Sequence, residues 1–96
     1  MAKTAAKTDT VHLRLYVAGN APNSVSAIAN AKAICLEHYS DDYQLEIVDL
    51  MEQPLRALAD EIIVTPTLLR LQPLPMRRVI GNLNDLGQVF LGLGAK

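Results

Sequence analysis

Cys35, His12 and His38 are the side chains of this sequence whose types most often supply a nucleophile, a metal ligand or a proton shuttle near neutral pH. None stands where that chemistry would need it. A reactive thiolate is usually found at a helix N-terminus or beside a cation, whereas Cys35 falls in the middle of an apolar stretch and reads as a small core residue. A single cysteine also excludes a C-x-x-C dithiol, an internal disulfide framework and a cysteine-rich zinc site. His12 has no second histidine, cysteine or carboxylate at ligand spacing, and His38 stands equally alone near the end of a predicted helix. No catalytic, cofactor-binding or metal-binding residue is therefore assigned. Arg70, Arg77 and Arg78 form the one local basic group. They read either as a solvated strand face or as a docking patch for an acidic partner.

The elements that must position these residues have to fit one domain. Ninety-six residues leave no room for a second hydrophobic core. Residues 10–96 are expected to form that domain and residues 1–9 a disordered tail. Apolar residues make up 50% of the chain and aromatics 4%, so the core must be aliphatic, and few rings are left for stacking on bases or sugars. Nine basic residues against ten acidic ones give a net charge of −1. That balance argues against nucleic acid or an anionic membrane as partner, since both require clustered positive charge. No apolar run approaches the roughly 20 residues that span a bilayer. The opening residues also lack the apolar core of a secretory leader, so a cytoplasmic protein is expected.

Val11 to Val17 alternates strictly between Val11, Leu13, Leu15 and Val17 on one face and His12, Arg14 and Tyr16 on the other, which predicts a strand. A loop over residues 18–24 follows, in which Asn23 or Ser24 could cap a helix. Val25 to Tyr39 has helical spacing, and Tyr43 to Leu50 reads as a second strand. Strand, helix and strand of these lengths predict a right-handed βαβ unit with parallel strands. In the second half, Pro54 to Glu61 reads as a short helix with proline in its first turn. Ile62 to Leu71 reads as a strand, Gln72-Pro73-Leu74-Pro75 as a turn, and Met76 to Ile80 as a hairpin partner. From Leu83 onward a helical stripe (Leu83, Leu86, Val89, Phe90, Leu93) is interrupted by Gly87, Gly92 and Gly94. Each glycine costs a helix interior about 1 kcal/mol relative to alanine. Residues 88–93 are also an acceptable strand, and both readings stay open.

The run Leu15-Tyr16-Val17-Ala18-Gly19-Asn20-Ala21-Pro22-Asn23-Ser24, then Val48-Asp49-Leu50, Pro54, Thr65-Pro66-Thr67-Leu68 and Pro75-Met76-Arg77-Arg78-Val79-Ile80-Gly81, closely resembles the KaiB family of the KaiABC circadian clock. The likeness covers nearly everything after residue 10. It implies an α/β protein of thioredoxin-like KaiB fold, with a shared N-terminal βαβ. The C-terminal half would be either βααβ, in a free dimer or tetramer, or αββα, in a thioredoxin-like monomer. It implies a non-enzymatic regulator that uses no cofactor and binds the N-terminal ATPase ring of the KaiC hexamer, with KaiA or a SasA-like kinase as further partners, in a circadian or stress-related timing system.

On the matched positions, the resemblance implies that partners meet Glu52, Arg56, Asp60 and Glu61 as exposed residues of the short helix. It places further contacts at Gln44 and Glu46 on the edge strand, and at Arg77 and Arg78. It assigns the change of fold to Pro66, Pro73 and Pro75, which follow cis bonds in the switched form, and to Gly92 and Gly94. Departures mark a divergent member, outside the cyanobacteria or a second paralogue: Leu74 stands where the family has proline, Gly94 where it has a polar residue, and Glu61 and Ser26 where it has basic ones. Two other classes of function remain beside this one. A thioredoxin-like sensory or scaffold module would bind another signalling partner. A thiol oxidoreductase would need its dithiol in the Gly19–Ser24 loop, which contains no sulfur.

Overall fold

The computed structural model describes residues 10–40 and 42–93, so the expected tail over residues 1–9 and Gly94 lie outside the described residues. The elements are β1 (Val11–Val17), α1 (Pro22–Tyr39), β2 (Tyr43–Asp49), α2 (Pro54–Ala59), β3 (Thr67–Gln72), β4 (Arg77–Ile80) and α3 (Leu86–Leu93). The second half thus takes the αββα order. Among the described residues no helix is long and apolar enough to cross a membrane.

The four strands form one sheet in the order β2-β1-β3-β4. The first βαβ unit is parallel as expected, with Leu15 opposite Ile47 and Val17 opposite Asp49. β3 runs antiparallel to β1, with Leu15 opposite Leu68, and β4 closes the sheet antiparallel to β3. Because strand side chains alternate between faces, Leu13, Leu15 and Val17 point toward α1 and α3. There they join Ala27, Ala31, Ile34, Cys35, Leu68, Leu83, Val89 and Leu93 in an aliphatic core. Tyr16, Val48 and Leu69 point the other way and meet Ala57 of α2, with Leu50, Ile62 and Leu71 packed around them.

Several element boundaries differ from the sequence expectation. α1 starts at Pro22, whose fixed φ suits a first helical position, and not at Val25. Its N-cap is Ala21 with no side-chain cap. Ser24 instead uses its Oγ to accept the Ala18 N–H at 3.0 Å, which closes the loop from β1. β2 ends at Asp49, because that carboxylate accepts the N–H groups of Gly19 and Met51 and turns the chain at Leu50. α2 stops at Ala59 and not at Glu61, where φ is +58° and the helix cannot continue. Residues 62–66 are not strand. Pro66 has no N–H to give a ladder, and Thr67 Oγ1 donates back to the Val64 carbonyl at 2.6 Å. β3 therefore begins only at Thr67.

The peptide bonds before Pro66, Pro73 and Pro75 are all cis. α3 is helical over residues 86–93, and this settles the ambiguous C-terminal stripe in favour of helix in this structure. Gly92 permits its close seat on β4: a Cβ at that position would stand 2.6 Å from Val79 Cγ2.

Candidate partner-docking surface

α2 is six residues long, too short to persist by helical propensity alone, so tertiary contacts must hold it on the sheet. Its inner side offers one small apolar group, Ala57, to Tyr16, Val48 and Leu69. Polar contacts supply much of the rest. The buried Tyr16 phenol donates to Asp60 Oδ2 at 2.6 Å and lies 3.0 Å from the Arg56 carbonyl oxygen. Arg14 bridges β2 and the end of α2, with Nε 2.9 Å from Glu46 Oε1 and Nη1 2.9 Å from Asp60 Oδ2. Arg56 closes the ring on the other oxygen of Glu46 at 2.6 Å. Hydrogen bonds from Arg56 and then Arg14 pull the Glu46 carboxyl down to about 2. Burial acts to raise the Asp60 carboxyl, but hydrogen bonds from Tyr16 and Arg14 outweigh it and leave the group below its ordinary value.

This network corrects the expected exposure of Arg56 and Asp60. Arg56 and Asp60 are only partly exposed, and with Glu46 they are committed to holding α2 in place. Glu52, Glu61 and Gln44 are exposed as expected. What sequence reasoning missed is the apolar outer side of the helix. Leu55 is 77% and Leu58 73% exposed, at the i, i+3 spacing that puts both on one face. Met51 precedes them, and Ile63, 92% exposed, follows in the loop before Pro66. A shallow groove of about 370 Å³ lies beside that loop, lined by Glu61, Ile63, Val64, Thr67, Arg78 and Ile80. The signal was available in principle, because Leu55 and Leu58 fall on the opposite side of a short amphipathic helix from Ala57.

The arginine trio also divides. Arg77 and Arg78 are exposed on the edge strand β4, and Arg78 donates to the carbonyl oxygens of Glu61 and Asp60 at 3.1 and 3.2 Å. Arg70 stands opposite Arg77 across the β3–β4 ladder, so these two share the face toward α3, where Arg70 is buried, while Arg78 lies on the other face. The three do not form one patch, and both readings of them as a single face are set aside. A second concavity of about 410 Å³ lies over β1 and β2, lined by His12, Arg14, Gln44, Glu46 and Leu71 among others. Cys35 is buried in α1, and burial pushes its thiol up to about 11. Such a thiol is almost entirely protonated at neutral pH and a poor nucleophile. Among the described residues no group of three or more histidine, cysteine, aspartate or glutamate side chains could hold a metal ion.

Three comparisons bear on this architecture. In structure the chain is similar to the N-terminal domain of SasA from Synechococcus elongatus (TM-score 0.71, 21% identity, 90% of this chain and 85% of that one). It is also similar to chloroplastic thioredoxin z (TM-score 0.72, 17% identity, 97% and 83%). At such identities the likeness shows the fold alone, which is thioredoxin-like. In sequence it is 48% identical over 81 residues to the circadian clock protein KaiB3 of Synechocystis sp., covering 84% of this chain and 79% of that protein. It is 45% identical over 84 residues to the circadian clock oscillator protein KaiB of Synechococcus elongatus, covering 88% and 82%. These relatives carry the names of clock proteins and not of enzymes. Residues 14–94 match the KaiB domain, and the chain belongs to the KaiB family.

Proposed function

We propose that this protein is a non-enzymatic clock regulator that docks on a KaiC-type hexameric ATPase ring through the outer face of α2 and modulates the ring's phosphorylation or ATPase state. The observation that carries the reading is the pair Leu55 and Leu58, held outward on a helix whose polar residues are turned inward to fasten it. Exposed apolar groups rimmed by charge are typical of protein interaction sites, and Glu52 and Glu61 supply that rim. The names of the relatives support a place in a circadian system. In this reading residues 10–96 act as one domain. The αββα order is the binding form, and the second half refolds to βααβ in a free dimer or tetramer. Pro66, Pro73, Pro75, Gly92 and Gly94 act in that change. The open edge of β2 at Gln44 and Glu46 is free to pair with a further partner such as KaiA or a SasA-like kinase, since an unpaired strand edge is a ready template.

The test is native mass spectrometry of the protein mixed with an ADP-loaded KaiC hexamer over many hours. A complex is expected, and the double variant Leu55→Asp, Leu58→Asp should bind at least about tenfold more weakly while keeping its circular dichroism spectrum. No complex, or equal binding by the double variant, overturns the reading. A second reading, a thioredoxin-like sensory module for a different signalling partner, draws on the likeness to the SasA domain. It expects no KaiC complex in the same mixture.

A further inference from the structure

We propose that α3 is a separately detachable element whose attachment is set by two polar latches, Asn30 before its first turn and Arg70 at its last. The inference goes beyond the docking reading and does not depend on any partner.

Eight residues are too few for a helix to hold itself together in water, and Gly87 and Gly92 weaken this one further. Val89 and Leu93 anchor it in the core, and the strand beneath it, β4, is four residues long and lies at the edge of the sheet. The segment leading into α3 is also strained. Leu83 is buried in the core yet has φ +66°, a left-handed conformation that costs a residue with a Cβ. Such a conformation persists only where its surroundings over-determine it. Here Asn30 of α1 does so: its amide nitrogen donates to the Asn82 carbonyl and to Asn84 Oδ1, both at 2.8 Å. The two hydrogens of one side-chain amide thus fix the residues on either side of Leu83.

At the other end, Arg70 is 7% exposed, and its guanidinium donates to the Leu93 carbonyl at the C-terminal end of α3 and to the Pro75 carbonyl at 2.8 Å. A cation there complements the negative end of the helix dipole. No ion pair to Arg70 is formed among the described residues, and its Nε has no partner. A buried charge satisfied only by carbonyls is costly to keep out of water. When α3 lifts away, Arg70 loses its bond to the Leu93 carbonyl while the strain at Leu83 relaxes, so opening is opposed at the last turn and partly offset before the first. The sheet gains nothing comparable from opening, which is why α3 is expected to open alone.

Native-state amide hydrogen exchange on the full chain tests this, because it resolves local from global opening. In the parent protein, amides of α3 should exchange at least about tenfold faster than those of β1 and β3. Asn30→Asp keeps the shape but removes both donors, and Arg70→Met keeps the length but removes the clamp. Each should speed α3 exchange at least another tenfold relative to β1 and β3. Equal protection of α3 and β1 in the parent overturns the proposal, as does a uniform shift of all amides in the variants. Slower α3 exchange in Arg70→Met would show that Arg70 is a burden and not a latch, and would also overturn it. Should Arg70→Met fail to fold, Asn30→Asp, at a half-buried helix position, still decides the matter.

Discussion

On the face of the sheet toward α1 and α3, buried apolar residues from four elements and the loop before α3 interlock, whereas on the face toward α2, among the described residues, Tyr16, Val48, Ala57 and Leu69 form a small buried cluster beside a ring of ion pairs. The two faces are closed by different physics. Aliphatic packing is non-directional and indifferent to pH and salt, while the contacts that hold α2 depend on geometry and charge. The difference teaches where an interaction surface can be placed. A helix fastened by polar groups on its inner side can leave its leucines outside, where a helix fastened by leucines cannot.

The largest expected effect is on the aliphatic face. Leu15→Ala removes a fully buried side chain from the centre of β1 and should lower stability by about 2–5 kcal/mol, measured by urea titration. A loss below about 1 kcal/mol would erase the contrast between the faces. Next comes Tyr16→Phe, which keeps the ring and deletes the hydroxyl that meets Asp60 and Arg56. Because one partner is a charged carboxylate, the loss should be about 1.5–3 kcal/mol, and α2 resonances should shift more than those of α1. Equal shifts in both helices would mean that the hydroxyl is not what fastens α2.

The smallest effect concerns pH. Glu46 and Asp60 both titrate lower in the folded protein than in the unfolded chain. Their contribution is therefore fully present above the ordinary carboxylate range and is lost as pH falls through the folded values, near 2 for Glu46. Because Glu46 is well exposed, screening holds its share to about 1 kcal/mol or less. Stability should decline between about pH 5 and 2, less steeply in Glu46→Gln and at high salt. Identical slopes for parent and Glu46→Gln would remove the ion-pair ring from the account of this face.

The first half of the fold was legible because one signal dominated each segment: strict alternation in β1, helical spacing in α1, and a connection that permits only a parallel pairing. The second half was legible in order but not in extent. Proline and a positive φ decide its boundaries, and both act through backbone geometry that side-chain periodicity does not report. Residues 62–66 read as strand because they are β-branched and apolar, yet Pro66 cannot join a ladder and Thr67 bonds back to Val64. The exposure of the charges around α2 was hidden from the sequence for a related reason. Charges in a short helix read as facing outward, but Arg56 finds Glu46 on β2, ten residues earlier, and Asp60 finds Arg14 on β1, 46 residues earlier. Arg70, in turn, was grouped with Arg77 and Arg78 by proximity along the chain, although it and Arg78 stand on opposite sides of the β3–β4 hairpin.

The seat of α3 on β4 has a consequence for the history of this sequence. With Val79 Cγ2 standing 2.6 Å from where a Cβ on residue 92 would be, the two positions share one volume. Neither can vary freely: a side chain at 92 is admissible only with a smaller or re-oriented residue at 79, and a larger one at 79 demands glycine at 92. Lineages that keep this arrangement should therefore change the two sites as a pair, and a sequence that breaks the pairing is one in which the C-terminal segment packs some other way.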